Sequence, residues 1–269
     1  MAKKGERRAT RLLEMLRLNQ RLDVSTVAES LNISEATVRR LFARLDREGK
    51  VIRTHGGVRL APHLGVDYSY AIAAAHRSRE KAALGATAAD LVSSGDQIYL
   101  DSGTTVLKLA EAISLRLQSG GLENIVVLTN SLVLVDVLAR WCKVMLLGGE
   151  ARTERRDVCG PIAEDTIRRF HVTRAFFGAD AVNLHGGFMT TDERTAKLNE
   201  LAIRGAGQTC VLADAEKFGR DAFVSYAGLD EVEVVLTDAG IPEPTLAAFR
   251  NAGATIRVVP VRPPARHES

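Results

Sequence analysis

The stretch Ser34-Glu35-Ala36-Thr37-Val38-Arg39-Arg40-Leu41-Phe42-Ala43-Arg44-Leu45 decides the fold of the first part of the chain. Val38, Leu41, Phe42 and Leu45 recur at helical spacing and mark one buried face. Glu35, Ala36, Thr37, Arg39 and Arg40 fall on the other face. Ser34 is a residue type that caps helix starts, and Gly49 one that caps helix ends. Just upstream, Asn32-Ile33-Ser34 makes a turn. Before the turn, Val27, Ala28 and Leu31 form the inward face of a short helix that Ser25 can cap. Earlier still, Arg7 to Asn19 puts Leu12, Leu13, Met15 and Leu16 on one face and arginines on the other, and Asn19 to Asp23 breaks that pattern.

A short helix, a tight turn and a second amphipathic helix make a helix-turn-helix, whose second helix offers its first turns to the major groove of DNA. Arginine there can bind guanine with two hydrogen bonds, and threonine can meet a thymine methyl or a phosphate. After the reader helix, Lys50–Arg53 and Val58–Leu60 are β-prone runs around Thr54-His55-Gly56-Gly57. They predict a hairpin, the wing, which would carry Arg53, His55 and Arg59 near phosphates. The DNA-binding candidates are therefore Ser34, Glu35, Thr37, Arg39, Arg40, Arg53, His55 and Arg59. The competing reading is a small three-helix packing module that binds protein.

Charge favours DNA. Residues 1–60 hold 14 Lys/Arg and 7 Asp/Glu, leaving 22 basic and 26 acidic residues of the chain's 36 and 33 to the remainder. A basic head on a mildly acidic body suits a polyanion-binding module fused to something else. No apolar run approaches the length of a bilayer span, and the basic start MAKKGERRAT has no apolar stretch behind it. The three cysteines, Cys142, Cys159 and Cys210, fit neither a disulfide framework nor a zinc spacing, which suits a reducing cytoplasm. The six histidines also lack metal spacing. No metal or cofactor is expected.

Residues 61–76 lack strong periodicity and contain Pro62 and Gly65, which predicts a linker between a head at 1–60 and a larger domain at 77–269. Residues 77–92 read as a helix. Beyond them β-runs at 97–100, 124–128, 143–147, 172–177, 209–213, 232–236 and 255–259 alternate with helical runs at 104–117, 132–139, 162–170, 192–206 and 244–251. Such alternation predicts an α/β domain built on a mostly parallel sheet, with ligands beyond the carboxyl ends of its strands. Trp141 and Met145 read as core, and Pro263 onward as a tail.

The expected strand ends are small and polar: Asp101-Ser102-Gly103-Thr104-Thr105, Thr129-Asn130-Ser131, Gly148-Gly149, Asp180, and Asp214 with Lys217. The first runs from a strand into a helix. Its glycine lets a ligand approach the backbone, and the helix start offers N–H groups to an anion. The alternative is an ordinary strand-to-helix turn with N-caps. The recurrence of polar strand ends favours a binding site for a small anionic effector.

Ser34-Glu-Ala-Thr37-Val-Arg39-Arg40, Gly49 and Arg53-Thr-His55-Gly56-Gly57 together resemble the DNA-binding signature of DeoR/GlpR-type repressors. The larger domain resembles that family's sensor domain, which is in turn similar to ribose-5-phosphate isomerase. Phe177-Gly-Ala-Asp180, His185-Gly186-Gly187 and Val211-Leu-Ala-Asp214-Ala-Glu-Lys217 carry this second likeness. Two positions depart from the family pattern. Leu41 stands where an Asp usually follows the paired arginines. Asn199 stands where a lysine is expected, with Lys197 two residues earlier as the substitute candidate. The resemblance implies a winged helix-turn-helix joined to an isomerase-like α/β sensor. It implies a repressor of carbohydrate genes on a double-stranded operator, released by a phosphorylated sugar or similar anion, acting as a dimer or tetramer. A sugar-phosphate isomerase with an accessory head is the rival reading, with Asp101, Asp180, Asp214 and Lys217 available for proton transfer.

Overall fold

The computed structural model describes residues 2–19, 21–47, 51–54, 56–60 and 70–261. The chain divides into two compact units, Met1–Ala73 and Ala74–Ser269.

The N-terminal unit runs α1 (Ala2–Asn19), β1 (Arg21–Asp23), α2 (Val24–Leu31), α3 (Glu35–Arg47), β2 (Val51–Thr54) and β3 (Gly57–Leu60). Leu12, Leu16, Val27, Val38, Leu41, Phe42, Leu45, Val51 and Val58 are buried together, so the apolar spacing in the sequence does set the helix faces. Leu41 packs inward. Between α2 and α3 the chain turns at Asn32, which adopts the left-handed conformation (φ 48°), and Ile33 N–H donates to the Ala28 carbonyl at 3.0 Å. The wing differs from expectation in one respect. The break at 19–23 contains a strand, and the sheet order is β1-β3-β2, all antiparallel. Gly57 is required there: a Cβ would lie 2.2 Å from the carbonyl oxygen of Leu22 on β1.

Ser25 is not the cap of α2. Asp23 is, accepting from Thr26 N–H at 2.8 Å, and Ser25 donates to the same carboxylate at 2.7 Å. Both residue types cap well, and here the helix starts at Val24, which puts Asp23 at the N-cap and Ser25 inside the first turn. These bonds hold the Asp23 carboxyl down at about 2. Gly49, His55 and the tail from Pro263 lie outside the described residues. The stretch read as a linker holds a helix at its end, α4 (Tyr70–Ala75).

The C-terminal unit continues with α5 (Ser78–Ala89), β4 (Gln97–Leu100), α6 (Thr104–Gln118), β5 (Val126–Thr129), α7 (Leu132–Leu138) and β6 (Lys143–Leu146). A hairpin of β7 (Glu150–Arg152) and β8 (Asp157–Cys159) precedes α8 (Pro161–Ile167) and β9 (Val172–Gly178). Then come β10 (Ala181–Asn183), β11 (Gly187–Thr190), α9 (Glu193–Arg204), β12 (Ala206–Leu212), β13 (Val224–Ala227), β14 (Val234–Asp238), α10 (Glu243–Asn251) and β15 (Ile256–Val259). Seven strands form one parallel sheet in the order β15-β14-β12-β9-β4-β5-β6. Its strands bury both faces, as Ile98, Tyr99, Leu100, Ala175, Phe176 and Phe177 illustrate. A smaller antiparallel sheet, β10-β11-β13, packs Phe188 and Tyr226 toward Phe177. Trp141 is not core: it is 41% exposed just past α7, whereas Met145 packs against the core.

The order of the large sheet reverses at β4. From β4 the chain proceeds through β5 and β6 on one side, then returns to β9 on the other. Parallel sheets of this kind open a crevice at the carboxyl ends of the strands where the order reverses. Here that crevice lies between Asp101, after β4, and Gly178, at the end of β9.

Candidate functional site

Two surfaces carry chemistry. In the N-terminal unit, Glu35, Ala36, Arg39 and Arg40 are exposed along the first turns of α3, and Arg53 is exposed on the wing. A groove of about 310 Å³ between helix and wing is lined by Glu35, Arg39, Arg53 and Gly56, among others. Arg39 Nη2 pairs with Glu35 across one turn at 3.2 Å, with both side chains more than half exposed. Such a pair contributes little to stability and its arginine is readily redirected to a base or phosphate. Ser34 Oγ and Thr37 Oγ1 bond each other at 3.0 Å at the helix start, facing the same side. Arg59 lies on β3, and its side chain is outside the described residues.

In the C-terminal unit, the strand-to-helix turn after β4 begins with Asp101. Its Oδ1 accepts from Ser102 N–H at 2.5 Å, and its Oδ2 accepts from Gly178 N–H at 3.0 Å across the crevice. Burial pushes this carboxyl up to about 6. The two N–H bonds oppose that shift, and the nearby Asp157 and Asp180 charges add to it. Gly103 is the N-cap of α6 and no side chain caps that helix. A Cβ on Gly103 would come within 3.3 Å of Asp101 Oδ2 and 3.6 Å of Gly178 Cα, so the backbone is closely approached. Thr104 and Thr105 are buried in the first turn. The helix thus presents an uncapped, positive start to the crevice.

The other predicted positions divide by role. Asn130 is buried beside the turn, accepting from Tyr99 OH at 3.2 Å and reaching Ser102 Oγ at 3.5 Å. Thr129 and Ser131 serve the backbone: Thr129 Oγ1 donates to the Leu100 carbonyl, and Ser131 caps α7. Gly149 (φ +136°) packs against the Cys159 carbonyl beneath the β7–β8 hairpin, and Gly148 lies against Ile162. Asp180 accepts from Thr191 N–H and from the hydroxyls of Thr190 and Thr191. Asp214 is buried and caps the short helical turn Ala215–Lys217. Lys197 pairs with Glu200 on its own helix at 3.0 Å. Asn199 is buried, and its Oδ1 has no hydrogen-bond partner among the described residues.

Sequence reasoning missed Lys81, on α5. It is 5% exposed, within electrostatic reach of Lys217, Asp214 and Asp180. Burial pushes its ammonium down to about 8, and the Lys217 charge acts in the same direction. A lone lysine in an alanine-rich helix gave the only sequence signal. Arg152 and Asp157 were missed too: Ser102 Oγ donates to Asp157 Oδ2 at 3.0 Å, so the hairpin that carries them backs the turn. Asp180 lies within electrostatic reach of both Asp101, beside the open helix start, and Lys81.

A winged helix-turn-helix and a separate α/β unit with a crevice at its strand ends fit a ligand-responsive DNA-binding regulator. Comparison with known proteins agrees. A model of the DeoR-like helix-turn-helix domain matches residues 8–63, and one of the DeoR C terminal sensor domain matches residues 76–239. The transcriptional repressor AccR of Agrobacterium fabrum is 30% identical, over 87% of this chain and 89% of its own. The repressor GlcR of Bacillus subtilis is 30% identical over 87% and 88%. The regulator GlpR of Haloferax volcanii is 27% identical over 93% and 96%. This chain belongs to the DeoR family and is a DNA-binding transcriptional repressor. Among solved structures, a Plasmodium falciparum ribose 5-phosphate isomerase aligns at a TM-score of 0.39 with 17% identity over 52% of each chain. Among the described residues no helix is long and apolar enough to cross a membrane.

Proposed function

We propose that this repressor controls genes of carbohydrate metabolism from the cytoplasm, as a homo-oligomer on a two-fold operator, and is released by a phosphorylated sugar or related anion. The observation that carries the reading is the uncapped start of α6 at Gly103. A helix start of this kind takes phosphate through its free N–H groups, and the ammonium groups of Lys81 and Lys217 add charge-assisted bonds. Asp180, whose three bonds all fall on Oδ2, offers Oδ1 as an acceptor for a sugar hydroxyl. A C2 dimer matches a palindromic operator, which motivates the oligomer.

We assign no catalytic step. Both oxygens of Asp101 are engaged by backbone N–H groups, Asp180 by two threonines, and Asp214 by Arg77 and its own turn. Incubating the pure protein with aldose phosphates should yield no ketose.

The test has two stages. A DNA site is first selected from random duplexes with the full chain. The protein is then screened by thermal shift against phosphorylated sugars, the same sugars without phosphate, and sugar acids. A ligand at 100 times its Kd should stabilise by about 2.7 kcal/mol. Stabilisation by sugars lacking an anionic group, with none by their phosphates, would refute the anion site.

A further inference from the structure

Arg77 precedes α5 with φ 49° and ψ 41°, the left-handed region that a residue with a Cβ seldom enters. Such a backbone persists where its surroundings over-determine it. Here the surroundings are acidic. The guanidinium donates to Asp238 at 2.6 and 3.0 Å and to Glu216 at 2.9 Å, and its Nε lies 3.3 Å from Asp214. Asp214 and Asp238 are 1% exposed. His76 Nε2 adds a contact to Glu216 at 3.4 Å.

Those same acids build the turn that carries Lys217. Asp214 accepts from Glu216 N–H at 3.1 Å, and Asp238 accepts from Ala215 N–H at 3.3 and 3.4 Å. On the other side, Lys81 follows Arg77 by one helical turn, and its N–H bonds the Arg77 carbonyl at 3.0 Å. The segments that carry Lys81 and Lys217 therefore hang from one ion-pair cluster centred on Arg77. Along the chain, Arg77 stands between α4, which ends at Ala75, and α5, which starts at Ser78. If Arg77 moved to the right-handed region, nothing in its own backbone would keep those two helices apart.

We propose that Arg77 is a positioning residue and hinge: the clamp holds it left-handed in the operator-binding state, and an anion drawn between Lys81 and Lys217 loosens the clamp, letting α4 run on into α5. The proposal rests on the effector reading above. It supplies what a switch requires, an element with two arrangements that the ligand favours unequally. The helix change falls on the segment that leads from the DNA-binding unit, whose last residue is Ala73.

The test compares Arg77→Ala with Arg77→Gly in the full chain, on the selected DNA site, by fluorescence anisotropy. Both lose the guanidinium and leave the same carboxylates behind, but glycine is at ease in the left-handed region and alanine is not. Arg77→Ala should weaken DNA binding about tenfold with no anion added, within the usual range of coupling, and Arg77→Gly should weaken it clearly less. Equal losses, or none, would overturn the hinge. Should both variants fail to fold, Glu216→Gln removes one arm of the clamp on its solvent side. It should weaken DNA binding in the same direction, and unchanged affinity would overturn the proposal. Inorganic phosphate is the probe for the site itself. If it stabilises the wild type while the two Arg77 variants bind DNA alike, the effector site stands and the hinge falls. If it fails to bind while Arg77→Ala alone loses DNA, the hinge stands and the effector reading falls.

Discussion

Arg152 grips Asp157 with two parallel hydrogen bonds, Nε to Oδ1 and Nη2 to Oδ2, both at 2.8 Å and both side chains buried. The same guanidinium donates to Asp192, the N-cap of α9, at 2.6 Å. One arginine thereby joins the β7–β8 hairpin, the first turn of α9 and, through Asp157 and Ser102, the turn that follows β4. Removing one partner of a buried pair strands the other charge, at a cost of about 3–5 kcal/mol. Arg152→Ala should show a loss of that order in urea unfolding. Arg152→Met with Asp157→Leu should lose less than the single change. A single variant as stable as the wild type would mean that the pair is dispensable.

The reading surface makes a second forecast. Arg39→Ala and Arg40→Ala should each weaken binding to the selected DNA site by about 1–3 kcal/mol, with the circular dichroism spectrum unchanged. Arg39 gives up only an exposed ion pair with Glu35, so fold stability should barely move. Gel shifts like the wild type for both variants would remove α3 from the interface.

The crevice should respond to pH in a defined direction. Sulfate is the reporter, because its charge is constant across the range. Asp101 lies beside the helix start with its carboxyl near 6, so lowering the pH through that value removes a repelling charge. Lys81, near 8, is charged at neutral pH and loses its proton above that value. Sulfate affinity should therefore fall as pH rises, in two steps near 6 and near 8. Lys81→Met should abolish the upper step. A flat calorimetric profile between those limits would detach both residues from the anion.

Substitutions in the turn separate binding from release. Thr104→Ala removes a buried hydroxyl from the first turn of α6 and should cost about 1.5–3 kcal/mol of effector affinity if that hydroxyl meets a charged group. Gly103→Val places bulk against Asp101 Oδ2 and Gly178 and should block the anion. Both should still bind DNA and resist release. Effector affinity unchanged in Thr104→Ala would sink the assignment of this turn.

How much of this was legible in the sequence depended on whether a residue acts near its neighbours in the chain. Helix faces in the N-terminal unit and the strand–helix alternation of the C-terminal unit rest on local periodicity, and they were readable. The hairpins β7–β8 and β10–β11 were not, because strands of three or four residues carry too little alternation to register. Asp23 displaced Ser25 as a cap because two acceptors compete for the same N–H groups, and the sequence does not rank them. The strand-to-helix turn Asp101–Thr105 was legible from its small polar residues. Lys81, Arg152 and Arg77 were not. They reach the site from a helix and a hairpin distant in sequence: Arg77 and Asp238 stand 161 residues apart.

Trp141 is the chain's single tryptophan, and it sits half-exposed in the C-terminal unit. Its emission is thus a built-in optical label for that unit alone, with the DNA-binding unit silent at the same wavelength. Far-ultraviolet dichroism sees the helices of both. Superimposing the two melting curves would show whether the units come apart as one cooperative body or in succession, without any label being attached.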